Sequence, residues 1–396
     1  MKFDCLILGG GAAGLMAGVA LARGGASVAI VERQSRVGRK LLSTGNGRCN
    51  FTNRTAAPED YFGDLALARG ALSAFPPEKI LRIFEELGVP ARVDAEGRAY
   101  PLSNQASSVL DALRLAFAEG GGVEIPDFEV LAVHKKGDLL SVRASDDREI
   151  LAPYVLAATG GLAGKSLGAR DCPFLAMAGH SFTRRSPALS PLKTQPFPAL
   201  KGVRAFVRLS MDGHRESGEI LFTEYGVSGI AAMQLARFAH PGSTLQIDFF
   251  PEGDGAQFLC RRARLLPKRR MEDFLNGIVP KRVGQVLCKA AGLAPTLEAG
   301  ALSEAELRRL GDLLNAFPVP VLGARGYENA QVTAGGLTGF DPDTLESRAI
   351  PGLFAAGELL DVDGPCGGYN LQWAWASALL AARSILQKRK GGTPSA

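Results

Sequence analysis

The chain has 396 residues, 46% apolar and 21% charged, with a formal net charge of +5. That is enough length and apolar surface for two or three packed domains, and it excludes a disordered, fibrous or strongly polyanion-seeking chain. The 48 glycines fall in discrete clusters, and the six cysteines (Cys5, Cys49, Cys172, Cys260, Cys288, Cys366) contain no CxxC pair, which argues against zinc, iron–sulfur clusters and a disulfide scaffold and suits a reducing cytoplasm.

Cys5–Ala22 carries no charge. However, Asp4 precedes it and five glycines interrupt it, so a strand, a tight turn and a helix are expected there, not a leader peptide or a membrane span. Phe3–Leu8 is an apolar run of strand length, and the helix runs to about Arg23. Between them Gly9, Gly11 and Gly14 form GxGxxG, with Ala13 inside it. The first glycine allows the turn, the second admits a pyrophosphate to the backbone, and the third lets helix and strand pack closely. A second strand, Ser27–Val31, ends in Glu32 with Arg33 beside it. A carboxylate there can accept both ribose hydroxyls of an adenosine. The context predicts dinucleotide binding, but leaves NAD and FAD undivided.

Gly38–Asn53 (GRKLLSTGNGRCNFTN) follows, rich in basic residues, glycine and asparagine and poor in core formers. Pro77–Leu87 and Ser107–Glu119 read as helices and Val123–Val133 as a strand. Tyr154–Gly161 (YVLAATGG) is a buried strand ending in Thr159-Gly160-Gly161. From Pro187 the texture changes. Val203–Met211, an Asp212-Gly213-His214 turn and Glu219–Phe222 form a hairpin, and Thr244–Phe250 is another strand. Gln257–Phe317 reads as mostly helical. The basic run Cys260–Arg270 (CRRARLLPKRR) lacks interleaved aromatics, and Glu272 and Asp273 follow it. It is therefore expected to be a solvated helix face and not an RNA surface.

Near the C-terminus, Leu353–Ala356 is a strand running into Gly357-Glu358, with Asp361 and Asp363 beyond it. Gly367-Gly368 then opens a strong final helix. A carboxylate at such a strand end can accept from a ribityl chain, and a glycine-opened helix can aim N–H groups at the N1/O2 edge of a flavin. Three glycine-ended strands far apart in sequence are better served by one long cofactor, FAD, than by NAD.

Gly38–Asn53, Val332–Gly336 (VTAGG) and Gly357–Leu371 (GELLDVDGPCGGYNL) closely resemble the BaiN-like (YhiN-like) flavoproteins, over nearly the whole chain. The resemblance implies an α/β, Rossmann-like two-dinucleotide-binding FAD domain (1–187 and 326–396). A β-rich, barrel-like insert with a helical subdomain (188–325) would interrupt it and shape the substrate pocket. It places Arg39 and Lys40 near the diphosphate and Asn46, Gly47, Arg48, Cys49 and Asn50 close to the flavin ring. Val130 would offer its backbone to the adenine, and Gly336, Gly357, Glu358, Asp361, Gly367, Gly368, Asn370 and Leu371 would complete the cofactor set. Cys49 is expected to pack, not to react, and no residue stands out as a catalytic acid or base.

The expected activity is FAD-dependent oxidoreduction of a small organic substrate through flavin N5. NAD(P)H is the candidate donor and would visit the same flavin face, since no second GxGxxG is evident. The alternatives are a flavin-dependent tRNA-modifying protein or a non-catalytic FAD-binding protein. Neither nucleic acid nor a membrane is the expected partner, and no feature assigns an oligomeric state. Glu224 and Ile230 stand where many members of that family carry histidine and proline, which loosens any transfer of substrate identity.

Overall fold

Cys5–Leu8 (β1) is apolar on both faces and lies between two parallel neighbours, as a doubly covered strand must. The chain turns into Ala12–Arg23 (α1) and returns as Val28–Val31 (β2). Val123–Ile125 (β3), Tyr154–Ala157 (β4) and Leu353–Ala355 (β5) complete a five-stranded parallel sheet in the order β5-β4-β1-β2-β3. Its register sets Cys5 opposite both Val28 and Tyr154, and Val155 opposite Leu353. One face is covered by α1, which packs on the final helix, Tyr369–Arg389 (α2). This computed structural model describes residues 2–172, 174–175 and 179–391.

The chain divides into two compact units, Met1–Ser186 with Val332–Ala396, and Pro187–Gln331. Within the first, the single strand expected over Val123–Val133 is two. Pro126 has no N–H to give a ladder, and Asp127 turns left-handed at φ +52°. The chain leaves the parallel sheet at Ile125 and re-enters at Val130–Lys136, now antiparallel to Leu139–Ala144, which also pairs with Glu149–Ala152.

The second unit is a closed antiparallel barrel of six strands with its own apolar core. Arg204–Met211 and His214–Phe222 form its hairpin, and Met211 faces His214 across a two-residue turn. Asp212 and Gly213 both have positive φ, the geometry that matches strand twist, so His214 belongs to the strand. The expected helical stretch contains Gly255–Leu265, Lys281–Ala290 and Glu304–Asn315, the last opened by a Ser303/Glu306 capping box. Phe317, however, starts a strand, Phe317–Ala324, that closes the barrel. Its inward residues Phe317, Val319 and Val321 alternate with Pro318 and Pro320. Two prolines in eight residues hid that strand from the sequence pattern.

Candidate cofactor site

The GxGxxG turn closes on itself by backbone contact. Gly9 sits at φ +103°, and a Cβ there would lie 2.7 Å from the Ala158 carbonyl and 3.0 Å from Thr159 Cα. A Cβ on Gly14 would fall 1.9 Å from Gly9 O. Gly11 differs: a Cβ on it would meet no protein atom within 4 Å. It is also the N-cap of α1 and offers no capping side chain, so the first helical N–H groups are left to a ligand. The Glu32 carboxylate is fixed beside this turn, accepting from Gly10 N–H and Gln34 N–H at 2.9 Å each. Glu32 N–H donates to Ile125 O, and Phe128 N–H to Glu32 O, which runs the segment just before Val130 alongside the acid.

The C-terminal motif meets the same turn. A Cβ on Gly357 would lie 2.9 Å from Ala13 Cβ. Glu358 accepts Thr333 N–H through Oε1 at 3.0 Å, and its Oε2 pairs with Lys40 Nζ at 2.5 Å. Gly161 packs so closely on Glu358 and Thr333 that a Cβ would lie 2.6 Å from an oxygen of each, and one on Gly336 would lie 2.6 Å from Asp361 N. Asp361 in turn accepts Asp64 N–H on its backbone oxygen at 2.6 Å. A cleft opens here, lined by Gly160, Thr333, Gly336 and Glu358 together with Phe182 and Arg185. Arg185 holds Asp171 in a bidentate pair at 2.7 and 3.0 Å, keeping its carboxyl below the usual range. Cys172 also lines the cleft. Burial raises the pKa of its thiol, which donates to Thr159 Oγ1 at 3.0 Å. Sequence reasoning missed Phe182, Asp171, Arg185 and Cys172, because none belongs to a spaced motif, and it quoted Thr333 within VTAGG without giving it a role.

The final helix fixes the remainder. Its N-cap, Gly368, has φ +102°, and a Cβ there would stand 2.5 Å from the Thr52 carbonyl. Trp375 Nε1 donates to Phe51 O at 2.7 Å and Trp373 Nε1 to Gly357 O at 3.0 Å, while Gln372 takes the Thr52 hydroxyl at 2.6 Å. Gly367 O accepts Asn53 Nδ2 at 3.0 Å. These bonds bring Phe51–Asn53, the end of the Gly38–Asn53 segment, against the opening of α2.

Other expected contacts are taken up within the protein. Asn370 closes its own loop through Gly364 and Pro365, Leu371 packs on the core, Arg39 bonds Gln34, and Arg33 bonds Gly168 O. Gly45–Arg48 is exposed, with Gly45, Asn46 and Gly47 left-handed and the Arg48 guanidinium 5.2 Å from the Tyr100 ring. Cys49 is wholly buried, and burial pushes its thiol up to about 12, the opposite of an activated nucleophile. Asn50 Oδ1 is buried without a hydrogen-bond partner.

The donor set fits an FAD. Gly11 leaves room for a diphosphate at a helix N-terminus, Glu32 stands at a ribose distance from it in sequence, and an orphaned acceptor lies at the opening of α2. Among the described residues no disulfide joins any of the six cysteines, no group of three metal-ligating side chains occurs and no helix is long and apolar enough to cross a membrane.

Fold and site together define the class: a Rossmann-type FAD-dependent oxidoreductase. The chain belongs to the HI0933-like protein Rossmann domain family, whose profile matches residues 3–384, so the resemblance read from its GRCN and GGYN blocks is borne out. It is 36% identical to a 3-dehydro-bile acid delta(4,6)-reductase of Clostridium scindens, over 96% of this chain and 98% of that one. It is 29% identical to a ribosomal RNA dihydrouridine synthase of Escherichia coli, over 97% and 98% of the two chains. Among solved structures, the 3-ketosteroid-delta4-(5alpha)-dehydrogenase of Rhodococcus jostii shares the fold, with a TM-score of 0.50 and 17% identity over 97% of each chain.

Proposed function

We propose that this protein reduces a carbon–carbon double bond conjugated with a carbonyl group in a small organic substrate, using FAD and drawing electrons from NAD(P)H. The observation that carries the reading is the nearly full-length relationship to a reductase whose name specifies unsaturation next to a 3-keto group. The dihydrouridine synthases support it independently. Uracil has a 5,6 double bond conjugated with its 4-carbonyl, and dihydrouridine is the product of saturating it. A bile acid and a ribosomal RNA share little except that acceptor.

Bound FAD supplies the hydride chemistry at N5. The chain's part is to hold and orient. The N-terminus of α1 takes the diphosphate at Gly11, Glu32 the adenosine ribose, and the backbone at Val130 the adenine. Glu358 and Asp361 take the ribityl side, and Gly367-Gly368 presents donors to the pyrimidine edge, where negative charge develops on reduction. Cys49, wholly buried with its thiol pKa raised, would pack near the cofactor without reacting. Substrate choice is assigned to the Pro187–Gln331 unit, with Glu224 and Ile230 as its distinguishing residues, and the site of action to the reducing cytoplasm.

A second reading, uridine in RNA, draws on the two relatives named as ribosomal RNA enzymes. The basic run gives it little support, because Arg262 is spent on the Phe274 and Asn276 carbonyls and Arg261 on Gln257. Anaerobic titration of the purified holoprotein with NADPH and then NADH tests the proposal. Rapid bleaching of the flavin by one of them, followed by reoxidation with a cyclic enone or dienone, is expected. A flavin that stays oxidised refutes the donor assignment. Reoxidation only by a uridine-containing ribosomal RNA transcript, with dihydrouridine formed, replaces the first reading by the second.

A further inference from the structure

In the barrel, the strand Leu192–Thr194 is flanked by Gly226–Ser228 on one side and by Phe317–Ala324 on the other. Tyr225 immediately precedes the first neighbour and Arg325 immediately follows the second, and the Arg325 guanidinium lies 4.1 Å from the centre of the Tyr225 ring. Both backbones are fixed. Arg325 N–H donates to Pro191 O at 2.9 Å, and Arg325 O accepts the hydroxyl of the wholly buried Ser190 at 3.0 Å. Tyr225 O accepts Thr194 N–H at 3.1 Å. Both residues are half-buried and keep part of their surface in solvent.

A guanidinium that meets an aromatic ring keeps its N–H donors in its own plane, free to bind something else. Among the described residues none of the Arg325 side-chain donors has a hydrogen-bond or ion-pair acceptor. The acids near it in sequence or charge are engaged elsewhere. Glu224 pairs with Lys201 Nζ at 2.8 Å, and its carboxyl is held below the ordinary range by Lys201 first and by the Arg325 charge to a lesser degree. Glu328 accepts Asn329 Nδ2 at 3.0 Å. Arg282 brings a further cation to the same loop, its Nη2 donating to Lys201 O at 2.9 Å. Lys201, Arg282 and Arg325 thus outnumber Glu224 and Glu328, and of these cations Arg325 is the one whose side chain has no acceptor.

We infer that Arg325, braced on Tyr225, is an anion-binding residue of the Pro187–Gln331 unit, and that the substrate of this protein carries a carboxylate in addition to its conjugated carbonyl. A planar fork of parallel N–H donors matches the two oxygens of a carboxylate. Bracing on the ring restricts the long side chain before the ligand arrives, which lowers the ordering cost of binding. Calling the ligand a substrate rests on the reductase reading above, whereas the anion site rests on Arg325 and its surroundings alone.

The test uses a cyclohexenone whose saturated side chain ends in a carboxylate, and the same molecule with a carboxamide in its place. Holoprotein reduced anaerobically with dithionite is reoxidised by each compound, in the wild type, Arg325→Gln and Arg325→Lys. In parallel, labelling of wild-type Arg325 by phenylglyoxal is followed by peptide mass spectrometry with the acid, the amide or inorganic phosphate present. The wild type is expected to half-saturate with the acid at about a tenfold lower concentration than with the amide, the effect of one charge-assisted pair. The acid, and not the amide, should slow the labelling of Arg325. Arg325→Gln is expected to lose the preference, and Arg325→Lys, which keeps the charge without the fork, to retain only part of it. Equal use of acid and amide by the wild type, or an Arg325→Gln protein that keeps the preference, overturns the inference. Labelling slowed by phosphate but not by the acid overturns the carboxylate assignment. If neither compound reoxidises the flavin while the acid still protects Arg325, the reductase reading fails and the anion site stands.

Discussion

Gly11 and Gly14 lie three residues apart in one motif, yet they answer to different partners, and alanine at each separates the two roles. At Gly11 the backbone is extended (φ −83°, ψ −165°), which alanine adopts freely, and the new Cβ meets no protein atom within 4 Å. The gain from a stiffer unfolded chain, about 0.4–1 kcal/mol, is offset in part by a weaker N-cap. The apoprotein melting temperature should therefore move by no more than about 2 °C. The methyl instead occupies the opening through which a diphosphate would reach the α1 N–H groups. Losing one charge-assisted bond there costs about 1.5–3 kcal/mol, or roughly a ten- to hundredfold weaker FAD complex. At Gly14 the Cβ would stand 1.9 Å from Gly9 O and 3.3 Å from Ile7 Cγ2. Neither backbone nor sheet can yield cheaply, so about 1–3 kcal/mol of stability is lost, several degrees in the melting temperature. Calorimetry of the two apoproteins and fluorescence titration with FAD read both quantities. The reasoning is refuted if Gly11→Ala binds FAD like the wild type, or if it destabilises the apoprotein as much as Gly14→Ala does.

Two other predictions follow from burial. The Cys49 thiol is raised from its ordinary 9.0 to about 12, so the folded state keeps a proton that the unfolded chain releases. That stability is present below about pH 9 and is lost as pH rises towards 12. In urea titrations across that window, the wild type should lose about 1.4 kcal/mol per pH unit more than Cys49→Ala; parallel curves would refute the assignment. Trp375→Phe removes the donor to a buried Phe51 carbonyl and should lower stability by about 1–3 kcal/mol and weaken FAD binding. A shift in the urea midpoint worth less than about 0.5 kcal/mol would show that water or another donor replaces the indole.

What was legible in the sequence is what local backbone geometry dictates. Gly9, Gly11 and Gly14 could be read because a turn, an opening and a helix crossing each forbid or need a Cβ within a few residues. The Asp212-Gly213 hairpin could be read for the same reason, although the turn is one residue shorter than expected. The failures occur where local signals are mixed or silent. Pro126-Asp127 split one apolar run into strands of two different sheets, and Pro318 and Pro320 disguised a barrel strand. The Asp171–Arg185 pair, fourteen residues apart, lies in no continuous helix or strand whose pattern could have joined the two.

The final helix shows why the site in particular exceeds the pattern. Its sequence reads as apolar, and apolar burial is non-directional. Contact with α1 would tolerate a small slide along the axis, and any such slide would carry Gly368 away from Thr52. Position is set instead by directional bonds. Trp373 Nε1 reaches Gly357 O, Ser377 Oγ accepts Gly357 N–H at 2.9 Å, and Trp375 Nε1 reaches Phe51 O. Two tryptophans and a serine thus tie one helix both to the strand end that carries Glu358 and to the loop that carries Asn50. The sequence showed the tryptophans only as part of a strong final helix. That their ring nitrogens set the relative placement of two cofactor motifs more than 300 positions apart could be seen only once their acceptors were in place.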